Sequence, residues 1–222
     1  MGRARGVDVS NEAMVRELAA RGIVRSPRVE AALRSVPREA FLPGDAGGDA
    51  YLDAPQPIGE GQTISAPHMV AMMAEALDVQ PGMCVLEVGG GSGYHAAVLA
   101  RLCAPSGNVV TVERHESLAR QARHNLRRVD PALHVEVVLG DGSEGVRDRA
   151  PFDRISVAAA APAIPEPLIQ QLADDGVMVL PVGSMAEQDL LRVTKHADDT
   201  LDVRSLGPVR FVPLLGKHGF PE

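Results

Sequence analysis

The stretch Met83–Leu102, MCVLEVGGGSGYHAAVLARL, constrains the fold of this chain more than any other. A short apolar run, Met83–Val88, is followed by glycines at 89, 90, 91 and 93, and Tyr94–Leu102 resumes with apolar residues at helical spacing. That pattern predicts a strand, a tight glycine turn and a helix. Glycine lets the backbone turn sharply and approach a ligand closely, and the first N–H groups of the helix point at whatever polar group binds there. The expectation is a nucleotide-type cofactor site.

Downstream the chain alternates. Val109–Val112 predicts a strand ending at Glu113, Leu118–Val129 a helix, and His134–Leu139 a strand running into Gly140-Asp141-Gly142. Asp153–Ala160 predicts a further strand, Glu166–Leu172 a helix and Val177–Val182 a strand. Leu190–Lys195 and Val209–Leu214 read as late strands joined by a polar turn around Ala197–Thr200, adding an antiparallel edge. Strand–helix alternation of this kind predicts an α/β fold. The expected form is a Rossmann-like doubly wound sheet, mostly parallel with antiparallel C-terminal strands, in three α/β/α layers.

Upstream of the glycine turn lies a small helical region. Val9–Ala20 carries Met14, Val15 and Leu18 on one side with Ser10 as its cap, and Val29–Val36 follows the helix-start signal Ser26-Pro27. Arg38–Tyr51 reads as an excursion over the surface, and Arg25, Arg28 and Arg34 as a solvated helix face. With 45% hydrophobic residues, 222 residues can bury one full core. One domain, 1–222, is expected: a helical extension over 1–50, a substrate and cofactor loop over 51–69, and a cofactor-binding core over 70–216.

The loop, YLDAPQPIGEGQTISAPHM, has three prolines and a dense set of hydroxyl, amide, carboxylate and imidazole groups with almost no periodicity. It is either a crossing loop or a wall of a site. Thr63 and Ser65 each offer a hydroxyl hydrogen, and Ser65 is also placed to cap a helix beginning near Pro67; the two roles are compatible. His68, in the first turn of that helix, reads as a packed or surface histidine.

Glu113 lies about twenty residues beyond the last motif glycine, where a carboxylate accepts both hydrogens of a ribose diol. Tyr94 occupies the fourth-spaced position, where close backbone approach around a pyrophosphate would need glycine, so the pattern favours a ligand without phosphates, S-adenosylmethionine. Asp141 is then placed to accept from an adenine amino group. Each carboxylate also has a plain reading, Glu113 as a solvated strand end and Asp141 as a turn residue, yet both fall on the same sheet edge.

Other classes fit poorly. A formal charge of −7 and 3% aromatic residues, with no Trp, oppose a nucleic-acid partner. Cys84 and Cys103 show no paired spacing and are expected as buried thiols. None of the seven histidines forms an H-x-x-x-H pair with a third ligand in register, so no metal site is expected; His95 and His124 read as helix-surface or partly packed residues. No apolar run approaches the roughly 20 residues of a membrane span. A cytoplasmic protein is expected, with a monomer as the default state.

Taken in order and spacing, PIGEGQTISAPHM (57–69), VLEVGGGSGYHAAVLA (85–100), GDGSEG (140–145), APFDRISVAAAAPAIPEPLIQQL (150–172), MVLPVG (178–183) and VRFVPLLG (209–216) resemble the protein-L-isoaspartate O-methyltransferase family. The likeness covers about residues 10–216, and QTISAPHM is its most specific piece. It implies transfer of a methyl group from S-adenosyl-L-methionine, leaving S-adenosyl-L-homocysteine, to the free α-carboxylate of L-isoaspartyl residues in damaged proteins and peptides. By the same likeness Ser65 matches the active-site serine, Thr63, Ile64 and Val212 the substrate side, and His68, Glu87, Gly89, Gly91, Gly93, Glu113, Asp141 and Gly142 the cofactor side. Gly90 departs from the Thr or Ala usual in the family, and Ala158 from a common Thr. Two readings compete: a peptide aspartate O-methyltransferase dedicated to one ribosomally made peptide, and a non-catalytic cofactor-binding protein. A large recognition domain would favour the first, and the joint retention of Thr63, Ser65, Glu113 and Asp141 opposes the second.

Overall fold

The computed structural model describes residues 10–44 and 47–221. Helix α1 (Asn11–Ala20) buries Met14, Val15 and Leu18, and Ser10 caps it by accepting from Ala13 N at 3.2 Å. Its expected start at Val9 lies outside the described residues. Helix α2 (Pro27–Ser35) begins on Ser26, whose hydroxyl accepts from Arg28 N, and Pro27 takes the first helical position, where a missing N–H costs nothing.

A short antiparallel hairpin, β1 (Gln56–Gly59) and β2 (Gln62–Ile64), precedes helix α3 (Pro67–Leu77). The α/β core then runs β3 (Cys84–Val88), α4 (Tyr94–Cys103), β4 (Asn108–Glu113), α5 (Glu116–Val129), β5 (Val135–Leu139), β6 (Phe152–Val157), α6 (Glu166–Gln171), β7 (Leu172–Gly183), β8 (Gln188–Lys195) and β9 (Leu201–Val209). The strands form one sheet in the order β5-β4-β3-β6-β7-β8-β9. The first five are parallel, and β8 and β9 are antiparallel. The chain winds outward from β3 to β5 and then returns to lay β6 on the other side of β3. That reversal opens a crevice at the carboxyl ends of β3, β4 and β6, the place where open α/β sheets bind ligands.

Alternation along each strand divides the core between the two faces of the sheet. Val85, Val109, Val177 and Val179 pack with residues of α1 to α5, whereas Leu86, Val88, Val110, Ile155, Val157, Met178 and Leu180 pack with Leu168 of α6. The second face is the thinner layer, since α6 has only six residues. Among the described residues no helix is long and apolar enough to cross a membrane. Both cysteines are free thiols, and burial pushes that of Cys103 up to about 11.

Four local expectations are corrected. The last strand runs over Leu201–Val209, not Val209–Leu214; as an edge strand it exposes most of its first half, so it lacks an apolar run, while in 210–215 Pro213 and Leu215 form isolated bridges to Ala160 and Phe220. Strand β7 starts at Leu172, which pairs with Phe152 ahead of a bulge. The segment 38–51 is not a surface excursion at its start: Arg38 and Phe41 are fully buried, Phe41 meeting the Tyr94 ring edge-on at 5.6 Å and the Arg38 guanidinium lying 5.2 Å from its centroid, while residues 45 and 46 lie outside the described residues. Arg28 leaves the solvated face to bond Gln80 and the Leu102 carbonyl, tying α2 to the end of α4.

Candidate active site

The crevice is a cleft of about 940 Å³, including its open mouth. Its floor is the turn after β3, where Gly89 and Gly91 line the cleft with φ of 88° and 53°; Gly93, with φ of 91°, does not stand among the lining residues, and a Cβ there would meet Ala122 and Leu126 of α5. A side chain at Gly91 would bring strain and meet Ile58 of the hairpin, whose Cδ1 lies 3.1 Å from the Cβ position. Tyr94 lines the cleft too, and its ring packs edge-on against Phe41 with the Arg38 guanidinium over it.

Glu113 lines the cleft at the end of β4, 5% exposed. Its Oε2 accepts from Gly91 N and its Oε1 from His115 N, both at 2.8 Å. These two bonds fix the plane of the carboxylate and leave each oxygen a further lone pair, the arrangement a vicinal diol needs. Backbone-only floor and anchored carboxylate together fit the ribose and chain of S-adenosylmethionine. Gly142 also lines the cleft, where any side chain would run into Val88. Asp141 does not stand among the lining residues. Its carboxylate accepts from Ser143 N, Ser143 Oγ and Lys217 N, at 2.9, 2.7 and 2.8 Å. Burial pulls that carboxyl up, and these donors outweigh it and hold it below the usual carboxylate range.

The hairpin forms the opposite wall. Ile58 and Ile64 are buried in the main core, and at the tip Glu60, with φ of 52°, accepts from Ser117 Oγ of α5 at 2.6 Å. Thr63, Ile64 and Ser65 all line the cleft, as does Val212 from the facing segment, which is pinned where Val212 O accepts from Ala160 N at 2.8 Å. The expected contest over Ser65, cap or substrate contact, has a physical answer. Ala66 is the N-cap residue of α3 and makes no side-chain bond; Asp53, fifteen residues upstream, accepts from His68 N at 2.9 Å in its place. Ser65 is released from capping, and its hydroxyl bonds no described residue.

His68 lies beside the cleft wall, where its Nδ1 meets Asp53 Oδ1 at 2.7 Å while Arg21 reaches Asp53 Oδ2 at 2.6 Å. Burial pulls the Asp53 carboxyl up, and the His68 and Arg21 donors outweigh it and hold it below the usual range. A lowered carboxyl contributes stability at neutral pH that is lost as pH falls through its folded value. Asp53→Ala is expected to cost about 1–2 kcal/mol, the range of a lost cap. Thermal melts at pH 7 would show the loss, and proteolysis would become faster within 54–66 relative to the core.

Glu87 and His95 sit deeper in the same cleft. Glu87 is 1% exposed, and Thr111 Oγ1 donates to its Oε2 at 2.5 Å. His95 Nδ1 lies 3.5 Å from Glu87 Oε1. Burial pushes the Glu87 carboxyl up to about 8 and pulls the His95 imidazole down to about 4. Of the two readings of His95, helix-surface or partly packed, the first falls and the packed one holds: it follows Tyr94 in the first turn of α4, 8% exposed. Gly90 has a steric role here, since a Cβ would come 2.5 Å from Thr111 Oγ1. Gly90→Ala is expected to turn Thr111 away from Glu87 and cost about 1–3 kcal/mol as overpacking, read by chemical denaturation. Among the described residues no group of three His, Cys, Asp or Glu is placed to hold a metal ion.

Sequence reasoning missed Asp53, His95 and Ile58. Asp53 lay inside the polar loop already singled out, and its spacing to His68 carries no local signal.

Comparison with known proteins agrees with this fold. Residues 9–219 match the family model described as protein-L-isoaspartate(D-aspartate) O-methyltransferase. A protein-L-isoaspartate O-methyltransferase of Methanopyrus kandleri is 51% identical over 213 residues, covering 96% of this chain and 94% of that protein. One from Methanothrix thermoacetophila is 56% identical over 197 residues, covering 89% and 92%. Among solved structures, a beta-aspartate methyltransferase of Plasmodium falciparum in complex with S-adenosyl-L-homocysteine superposes with a TM-score of 0.84 at 27% identity, over 93% of this chain and 98% of that one. A further protein-L-isoaspartate O-methyltransferase gives a TM-score of 0.86 at 30% identity, over 94% of this chain and 67% of that one. A family model matched over 9–219 and relatives more than half identical along nearly the whole chain show that it belongs to the protein-L-isoaspartate(D-aspartate) O-methyltransferase family.

Proposed function

We propose that this protein transfers the methyl group of S-adenosyl-L-methionine to the free α-carboxylate of L-isoaspartyl residues in damaged proteins and peptides. When bound, the cofactor supplies a methyl group on a sulfonium, an electrophile ready for in-line displacement. The accepting carboxylate has an ordinary pKa of about 3.5 and is already ionised at neutral pH, so no general base is required. The protein has instead to align the carboxylate oxygen and keep water out. Ser65 donates its hydroxyl hydrogen to a carboxylate oxygen and fixes its approach. Thr63 and Ile64 hold the loop on which Ser65 rides, and Val212 lines the path of the peptide. Glu113 binds the ribose hydroxyls, Gly89 and Gly91 allow close backbone approach, Gly93 lets α4 start close against α5, and Gly142 shapes the adenine end. Asp141 and His68 act at one remove, by bracing the 142–144 turn and the α3 terminus.

The methyl ester so formed cyclises to a succinimide without further help, because methoxide leaves more readily than hydroxide and the next backbone nitrogen is within reach. Hydrolysis of that ring returns some normal aspartyl linkage. The observation that carries the reading is the Ser65 hydroxyl, lining the same cleft as Glu113 and relieved of capping by Asp53. The test is ester formation, before ring closure, on two peptides differing only in L-isoaspartate or L-aspartate at one position. Ester on the isoaspartyl peptide alone is expected; equal ester on both would overturn the specificity, and ester on neither the activity.

A further inference from the structure

Strands β7 and β8 are joined by the tight turn 184–187, which stands at the carboxyl end of β7, on the same side of the sheet as the cleft. It carries Met185, 63% exposed, the most exposed large hydrophobic side chain among the described residues. Leu201 and Val203 are exposed as well, but they pair with Lys195 and Val193, toward the opposite end of β8. The turn around Met185 is firmly held. Ser184 N donates to Glu187 O at 2.9 Å, and Ser184 Oγ accepts from Ala186 N and Glu187 N at 3.2 and 3.1 Å. Any side chain at Gly183 would run into Glu187 O. The backbone is thus fixed on both sides of an apolar residue that it holds out in water.

Gln188, 4% exposed, closes this turn and ties it to the cleft. Its Nε2 donates to Ser184 O at 2.6 Å, and its Oε1 accepts from Phe211 N at 2.9 Å. Burying an amide is costly unless both of its ends are paired, and here each end is spent on a different segment. Phe211 directly precedes Val212, which lines the cleft. Two backbone bonds run alongside, Gly183 N to Ala161 O at 3.0 Å and Ala160 N to Val212 O at 2.8 Å. The turn and the Val212 wall are therefore one continuous surface. Val209, which faces Gln188 across the β8–β9 ladder, lies three residues before Val212, about 10 Å of extended chain. An extended peptide with its isoaspartyl residue between Ser65 and Val212 reaches the turn with a side chain two or three residues away.

We infer that the β7–β8 turn is an outer subsite for the substrate peptide: Met185 is the apolar contact for a side chain two or three residues from the isoaspartate, and Gln188 is the positioning residue that holds this contact in register with Val212. The inference rests on the isoaspartyl reading above. Methionine suits the task, because its unbranched, polarisable side chain adapts to apolar partners of different shape, as a protein that meets damage in many sequences requires. The turn is ordered before the peptide arrives, so the contact costs side-chain freedom and little else. It is also remote from the methyl group in transfer. A remote contact is as strong before the transition state as in it, so it acts on KM and leaves kcat alone.

The test is the initial rate of methyl ester formation by the full chain on isoaspartyl peptides of one length, with leucine or serine at the second and third positions on one flank or the other. For the wild type, leucine on one flank is expected to lower KM by roughly fivefold, the scale of a half-buried apolar side chain, with kcat changed by less than about twofold. Met185→Ser, on an exposed turn, should bring the KM values of the leucine and serine peptides together and leave Tm and cofactor Kd unchanged. Gln188→Met removes both hydrogen bonds of the tie. It should shrink the same preference and raise KM for every peptide at unchanged cofactor Kd, whereas a purely structural role would lower Tm and leave the preference as it was. If Gln188→Met does not fold, Ser184→Ala takes its place, stripping two hydrogen bonds from the exposed turn, and should shrink the preference to a lesser degree. No flank preference in the wild type, or one that survives Met185→Ser, would overturn the inference and leave the isoaspartyl reading standing. Ester on none of the peptides would overturn both.

Discussion

Replacing Ser65 by alanine is expected to lower kcat on an isoaspartyl peptide by roughly 10²-fold, the scale of losing one well-placed donor at a reacting oxygen, with the cofactor Kd changed by less than about twofold. The split between the two constants carries the argument. Were Ser65 a cap, its loss would shorten α3 and disturb cofactor and substrate alike, with a fall in Tm. The cap is supplied by Asp53, and Ser65 bonds no described residue, so its removal leaves the wall standing and takes away one hydroxyl. Single-turnover rates and equilibrium titration with S-adenosylhomocysteine, run on the same preparation, separate the outcomes. Parallel losses in both would assign Ser65 to the wall's structure.

Glu113→Gln is expected to have the opposite signature, a cofactor Kd raised about 100-fold or more with kcat at saturating cofactor changed far less. Hydrogen bonds to a charged group contribute about 1.5–3 kcal/mol each, and in the proposed complex two diol hydroxyls share this carboxylate, so a loss of about 3 kcal/mol is the conservative figure. The amide is a poor substitute for a structural reason. Glu113 already accepts from Gly91 N and His115 N, one on each oxygen. A glutamine has one acceptor, so its NH₂ must face one of those two N–H groups, donor against donor, and the floor of the cleft shifts with it. Glu113→Asp keeps the charge and withdraws it by one methylene. It should fall between wild type and Glu113→Gln in affinity, measured by the same titration.

Local rules made much of this fold legible. The glycine run after an apolar strand, the Ser10 and Ser26 caps, Pro67 at the start of α3 and Glu113 at a strand end are signals within a few residues of each other, and each falls where the rules put it. What was not legible depends on partners far along the chain. Strand β9 is held by hydrogen bonds to β8 and exposes its first five residues, so no hydrophobic periodicity marks it. Arg38 is charged and belongs by type on a surface, yet the Tyr94 ring and the Ala50 carbonyl draw it fully inside. The Asp53 to His68 bond spans fifteen residues, and without it the reading of Ser65 stays divided between cap and contact. The site follows the same division. Ser65, Thr63 and Glu113 were visible as chemistry, whereas the neutral pair of Glu87 and His95 depends on burial, which only the packed sheet and α4 create.

The measurement closest to the central claim is the fate of a synthetic isoaspartyl peptide held with the protein and S-adenosyl-L-methionine at pH 7 and followed by chromatography and mass. The account predicts a transient methyl ester, then succinimide, then rising aspartyl peptide as the isoaspartyl form is consumed over repeated rounds. A peptide that stays isoaspartyl while cofactor binds normally would contradict it, as would a stable ester on the aspartyl peptide.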